Sequence, residues 1–192
     1  MRLLPAALPG ALLLGAAPLA AQSPPSVPTP PRAPTAEQVL TGMPTRAVLL
    51  EDVERSRQNV LKYLDAAPDS MLGYRPTPGV RTFAGQIEHA AAANPFILGG
   101  AWKAQPRFRP DSTAARSKAG LRALVNGAYD EFARLVREAP EAQLAAVGTF
   151  ADMTKPNWRW VGTALEHATW TLGQTVPYLR ANGVTPPQYL PF

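Results

Sequence analysis

The chain has 192 residues, of which 46% are hydrophobic and 17% are charged, and its formal net charge is +5. That length suits one ordinary domain with room for a hydrophobic core. The sequence contains no cysteine, which excludes a disulfide scaffold, a cysteine-ligated zinc site and a thiol nucleophile.

Residues 1–21 have the layout of a secretory signal peptide. Arg2 precedes an apolar run centred on Ala11–Ala17, and small residues close the segment, so cleavage is expected after Ala21. An uncleaved membrane anchor is the alternative, but three prolines leave too short an uninterrupted helix to span a bilayer comfortably. The sequence therefore predicts an exported protein, periplasmic or secreted, with no integral membrane span after cleavage.

A proline-rich linker is predicted over residues 22–41. Six of the thirteen residues in Gln22–Pro34 are proline, a composition that favours extended polyproline II and builds no core. We interpret this segment as a tether, and we predict that the folded domain occupies residues 42–192.

From position 45 onward, hydrophobic residues recur at steps of three and four, the period of an α-helix, and no segment alternates convincingly as a strand does. Asn94 and Pro95 are expected to end or kink the second helix, because proline lacks the backbone donor. Ala142–Pro156 is less regular and is predicted to be a crossover containing a short helical turn. The fold class is therefore all-α, a four-helix bundle, with an irregular all-α domain as the alternative. Four helices are predicted. They are Thr45–Ala66, Phe83–Ala93 with Thr82 as its cap, a third helix that starts at its cap Ser112 and ends at Glu138, and Trp158–Ala181.

The chain has only two histidines, His89 and His167, and both fall inside predicted helices. Each belongs to a polar stripe at helical spacing: Thr82, Gln86 and His89 in one helix, and Thr163, His167, Thr171, Gln174 and Tyr178 in the other. If the stripes face each other, the two imidazoles converge. Neutral imidazoles bind Zn, Ni, Cu or Fe, and joint coordination requires ring nitrogens roughly 3–5 Å apart. The alternative is two unrelated buried histidines, each hydrogen-bonded to a neighbour.

The densest basic set, Lys103, Arg107 and Arg109, lies in a predicted loop that also contains Phe108. Such a loop could contact nucleic acid or an anionic membrane, but a solvated loop with one aromatic anchor is more common. We therefore predict no nucleic-acid partner. The sequence has no phosphate-binding GxxxxGK[ST] or GxGxxG motif and no GxSxG nucleophile elbow.

Two segments resemble the DinB-like (DNA-damage-inducible) superfamily. Pro68–His89 has an aromatic-Arg-Pro element, a Pro-Gly turn and then a histidine-bearing helix, and Leu165–Pro187 has Gly-Gln, Tyr-Leu-Arg, Asn-Gly and Pro-Pro elements. The resemblance covers about residues 45–187 and implies a four-helix bundle. The family name records inducibility and does not imply DNA binding.

The resemblance also implies a divalent-metal site, because members commonly hold a metal with three histidines. His89 and His167 match two of them, whereas the third position is Thr171, whose hydroxyl is a poor ligand for a borderline cation. Glu88 and Glu166 point about 100° away from the histidines on their helices. Glu51 or Asp52 could contribute only if the first helix faces the site.

Two functions follow from this resemblance. One is a transferase or hydrolase that depends on a divalent metal (Zn, Ni or Fe) on His89 and His167, with Thr171 or Gln174 orienting a small-molecule substrate or metal-bound water. The other is a metal-free bundle that binds a small ligand or has a structural role. A homodimer is also expected from the resemblance.

Overall fold

The computed structural model describes residues 42–111, 113–114 and 117–191. The predicted signal peptide (residues 1–21) and the linker prediction for residues 22–41 lie outside these residues, as does the predicted cap Ser112. Within the described chain, no helix is both long enough and apolar enough to cross a membrane. The elements are α1 (Arg46–Ala66), a 3-10 turn (Asp69–Met71), α2 (Phe83–Trp102), α3 (Lys118–Glu138), α4 (Glu141–Ala145), β1 (Val147–Phe150), β2 (Met153–Pro156), α5 (Asn157–Gly173) and α6 (Thr175–Ala181).

The four long helices form the predicted bundle. α2 packs against α3 on one side and α5 on the other, and α1 also packs against both α3 and α5. Each long helix turns one apolar side towards the shared core, as the helical period requires. The all-α prediction is therefore confirmed. The largest fully buried side chains include Trp160, Tyr129, Phe83, Phe132, Leu64, Ile87, Leu98 and Leu121.

Hydroxyl side chains cap the first three long helices. Thr45 accepts a hydrogen bond from the N–H of Val48, Thr82 accepts one from Gly85, and Ser117 accepts one from Gly120. Such caps satisfy backbone donors that the first helical turn leaves without partners. The first two starts match the sequence prediction. The third helix begins later than predicted, because Ser117 and not Ser112 precedes it.

α2 continues through Pro95 to Trp102, well beyond its predicted end. A proline inside a helix costs about 3 kcal/mol. The turns that follow bury Ile97, Leu98 and Trp102 in the core, and each such side chain contributes about 1.5–3 kcal/mol. The free energy gained by this burial therefore exceeds the cost of the proline. As a result, α2 is longer than the sequence indicates.

The fourth predicted helix is divided into α5 and α6 at Gly173 and Gln174. Pro177 has no N–H to donate to the carbonyl of Gly173, so the regular hydrogen-bond pattern is interrupted there. The backbone N–H of Gln174 instead bonds Thr171 O at 3.2 Å, in the tighter i to i−3 pattern.

The prediction that the chain contains no strand is wrong. β1 and β2 form an antiparallel hairpin in the crossover, with Val147 opposite Pro156 and Phe150 opposite Met153. Its turn residues Ala151 and Asp152 both have positive φ, which is rare outside Gly and Asn. The sequence therefore has no recognisable hairpin turn. The short helical turn expected in this crossover is present as α4.

Candidate functional site

The two histidines lie on neighbouring helices that pack against each other. His89 is in the second turn of α2, whose start is fixed by the Thr82 cap. His167 lies in the second half of α5, which packs along α2. The polar stripes expected from the sequence therefore face each other across this helix pair.

The rings of His89 and His167 meet directly. Their Nε2 atoms are 3.2 Å apart, the ring centroids are 4.8 Å apart and the ring planes cross at 77°. Both side chains are half-buried. The observed distance lies within the range that the sequence analysis set for joint coordination.

The surroundings favour the uncharged form of both rings. Burial lowers the pKa of His89 below 6.5, and the positive charges of Arg81 and His167 lower it further. Burial also lowers the pKa of His167, with a second contribution from Arg81. Two neutral imidazoles therefore face each other at neutral pH, and a neutral imidazole is the form that binds a cation.

The geometry of the pair fits two ligands of one divalent cation. Bonds of about 2.0–2.1 Å at a tetrahedral angle place two imidazole nitrogens about 3.3 Å apart. The observed separation of 3.2 Å agrees with this value. It also agrees with a hydrogen bond in which one neutral ring donates its Nε2–H to the other.

The surroundings of His167 oppose cation binding to some extent. A shared cation needs both Nε2 lone pairs, so each ring would then carry its proton on Nδ1. The Nδ1 atom of His167 is buried and has no hydrogen-bond partner among the described residues. A buried N–H without an acceptor costs about 1–3 kcal/mol, so this site is weaker than one with a supporting acceptor.

The described chain places no third strong donor beside the pair. Thr171, one turn after His167, is buried and offers only a hydroxyl. Glu51 and Asp52 each form an ion pair with Arg55. No group of three His, Cys, Asp or Glu side chains is arranged to hold a metal ion in the described residues. The imidazoles could thus supply two ligands to a cation, and any further ligand would have to come from water or from a bound molecule.

Hydrogen bonds link the start of α2, and the residues just before it, to Gln174 and α6. The buried amide of Gln86 donates from Nε2 to Gln174 Oε1 at 3.0 Å, and the Tyr178 hydroxyl donates to the carbonyl of Arg81 at 2.9 Å. Gln86 Oε1 is buried and has no partner among the described residues. Gln174 is thus held by the neighbouring helix.

A cavity of about 650 Å³ opens beside His89. Its volume lies within the range of small-molecule sites, and its walls are mostly apolar. Among the described residues, the lining includes neither Thr171 nor Gln174, which the sequence analysis placed beside a ligand. The lining comes from α2 and the loop after it: His89, Ala92, Ala93, Pro95, Phe96, Gly99, Gly100, Ala104, Gln105, Pro106, Phe108, Arg109 and Pro110.

The loop wall of this cavity is held by a buried carboxylate. Glu131 Oε1 accepts the backbone N–H of Arg107 at 2.6 Å, and both carboxylate oxygens of Glu131 accept from Arg134 at 2.7 Å. The Arg134 hydrogen bonds lower the pKa of Glu131, although burial opposes them, and the Arg107 N–H lowers it further. The sequence indicated a basic, aromatic loop but not that this loop and His89 line one cavity, because that arrangement depends on how the loop packs back onto α2.

Fold and site together define a class: a four-helix bundle with a pair of facing histidines beside an apolar cavity. The family model described as the DinB superfamily matches residues 52–174. The chain belongs to the DinB superfamily.

Solved structures of DinB-like proteins have the same fold. A DinB-like protein from Bacillus cereus aligns with a TM-score of 0.62 at 22% identity, over 74% of this chain and 95% of its own. A DinB-like protein from Bacillus subtilis aligns with a TM-score of 0.58 at 13% identity, over 76% of this chain and 96% of its own. No curated protein matches the chain.

Proposed function

We propose that this DinB-superfamily protein binds a small molecule in the cavity beside His89 and holds a divalent cation (Zn, Ni or Fe) weakly through His89 and His167. The observation that carries this proposal is the 3.2 Å separation of two Nε2 atoms whose rings are kept neutral by burial. The adjacent cavity supports a small-molecule partner, because His89 belongs both to the pair and to the cavity wall.

The activity we propose is that of a transferase or hydrolase. A divalent cation would supply the lowered pKa of a bound thiol or water. The chain itself would orient the imidazoles through α2 and α5 and shield the apolar part of a substrate with Phe96 and Phe108. Gln86 holds the amide of Gln174, but Gln174 does not line the cavity, so we assign it no contact with the substrate.

A second function, a metal-free bundle that binds a small ligand, is favoured by two observations. The buried Nδ1 of His167 has no partner among the described residues, and the buried Thr171, at the position that the resemblance assigns to a third histidine, offers only a hydroxyl. In this case one ring donates Nε2–H to the other, and a ligand contacts only the cavity face of His89.

Zinc binding separates these two functions. Zn²⁺ is titrated by calorimetry into untagged protein, and we expect one weak site that His167→Ala weakens at least about tenfold, or about 1.4 kcal/mol. Thr163→Ala is the matched control, since Thr163 lies one turn before His167 but bonds Lys155 at 2.8 Å. Equal zinc binding by the wild type and His167→Ala would favour the metal-free function.

Export is proposed from the signal-peptide pattern of residues 1–21 alone. N-terminal sequencing of the protein made in a bacterial host should find Gln22 as the first residue, whereas a retained Met1 would contradict export. The homodimer stays a prediction, and light scattering of the purified protein would test it.

A further inference from the structure

The loop that forms one wall of the cavity is strongly basic. Its residues 103–111 include three cationic side chains, Lys103, Arg107 and Arg109, and one acidic side chain, Asp111. Asp111 Oδ1 accepts two hydrogen bonds from Thr113, Glu131 is buried and paired with Arg134, and Glu138 lies 3.9 Å from Arg107. Three positive charges against one negative charge leave the loop with a formal charge of +2, and such an excess at the cavity mouth favours an anionic molecule.

Only one of these cations, Arg109, lines the cavity. Its Nη1 donates to the carbonyls of Pro106 at 2.6 Å and Phe108 at 3.0 Å, which holds the guanidinium against the loop. Among the described residues, Arg109 forms no ion pair. The other edge of the guanidinium therefore remains available, and a planar fork of this kind matches a carboxylate.

The apolar walls of the cavity suit an aromatic ring of a ligand. Phe96 on α2 is 66% exposed and Phe108 on the loop is half-buried, and both line the cavity. An aromatic side chain exposed at a cavity wall gains burial when an apolar group covers it, and pairs of aromatic rings add about 0.5–1.5 kcal/mol in model systems.

The cavity is formed before any ligand binds. Glu131 fixes the Arg107 N–H, and Gly99 lets the loop approach α2 so closely that a Cβ there would lie 2.6 Å from Pro106 Cγ. A wall that is already positioned loses little entropy on binding.

We propose that the cavity binds a small monocarboxylate with one aromatic ring, its carboxylate at Arg109 and its ring against Phe96 and Phe108. This inference rests on the proposed function in that it takes the same cavity as the ligand site. It does not depend on a bound cation, because none of these contacts involves His167.

The test compares 3-phenylpropionate with its neutral isostere 3-phenylpropionamide. Backbone amide shifts are followed by NMR during titration of the full chain with EDTA present. We expect both probes to shift Phe96 and Gly99, and the carboxylate to bind about two- to fivefold more tightly, the range that an exposed ion pair supplies.

Arg109→Gln should remove the preference for the carboxylate, and Arg109→Lys should restore part of it. Arg107→Gln is the matched control. The substitution removes one positive charge from the same loop, but Arg107 does not line the cavity. Phe108→Ala should weaken both probes equally.

Equal affinity for the two probes, shifts outside the cavity, or no binding of either probe would each overturn the inference. A preference lost equally in Arg107→Gln would also overturn it, since a general basic potential would then explain the result. None of these outcomes affects the zinc titration, so failure of the carboxylate site is distinguishable from failure of the histidine site.

Discussion

Among the polar side-chain pairs that bridge facing helices of this bundle, two have clearly different surroundings. Ser56 Oγ and Tyr129 Oη, 2.7 Å apart, join α1 to α3 where the two residues are 3% and 0% exposed. His89 and His167 join α2 to α5 at 3.2 Å, but both are half-buried and His89 also lines a cavity.

We interpret the first pair as structural and propose that the second has a function. Burial raises the pKa of Tyr129 to about 12, so its hydroxyl stays protonated and bonded to Ser56 at any ordinary pH. The histidine pair instead has a buried nitrogen without a partner among the described residues and contact with a cavity. The nitrogen without a partner belongs to His167, whereas His89 lines the cavity, so a ligand in the cavity contacts the pair only through His89.

The largest expected effect is on stability. Tyr129→Ala should lower the free energy of unfolding by about 3–5 kcal/mol, because it removes a fully buried ring and leaves a cavity. His89→Ala should cost less than about 1 kcal/mol, since that side chain is half-exposed. Urea unfolding at pH 8 measures both. Equal costs would mean that the histidine pair is part of the structural core.

The next largest expected effect is on zinc affinity, when a third imidazole is added beside His89 and His167. Thr171→His places an imidazole one turn after His167 and should raise zinc affinity at least about tenfold, or about 1.4 kcal/mol. Gly173→His is the control, because Gly173 lies about 120° around the helix from His167 and a Cβ there would meet nothing within 4 Å. Calorimetry compares the two. If both variants gain equally, any added histidine suffices and Thr171 has no special position.

The smallest effect is the dependence of stability on pH. The folded pKa values of His89 and His167 lie below their ordinary 6.5, so on acidification protons bind the unfolded chain first. The free energy of unfolding should therefore be highest above about pH 7 and should fall as the pH drops from 6.5 towards the folded pKa values.

Urea unfolding between about pH 7.5 and 5.5, with EDTA present, measures this slope while most carboxylates stay ionised. The double variant His89→Gln/His167→Gln should flatten it. A slope that persists in this variant would show that other groups cause the pH dependence.

Local signals predicted the bundle and indicated that the two histidines could meet. Thr45 and Thr82 cap helices where expected, and apolar residues at helical spacing form the core. The spacing placed His89 in one polar stripe and His167 in another, and the rings were expected to converge only if the stripes faced each other. The spacing alone left two unrelated buried histidines as the alternative, and the structure places the two Nε2 atoms 3.2 Å apart.

Features that depend on tertiary contact were not predictable from the sequence. Pro95 looks like a helix end, and only the burial of the following turns keeps α2 intact. Ala151 and Asp152 form a hairpin turn without the usual residues. The cavity beside His89 depends on the approach of Pro106 to Gly99, and no local pattern records that approach.

The central claim is that His89 and His167 act together as cation ligands, and ring NMR tests it most directly. Long-range ¹H–¹⁵N spectra report which nitrogen of each imidazole carries the proton. Without zinc, we expect one ring to carry its proton on Nε2 and to donate it to the other. With saturating Zn²⁺, both rings should carry the proton on Nδ1 and both Nε2 resonances should move to coordinated values. A ring that keeps its Nε2 proton at saturating zinc would contradict the account.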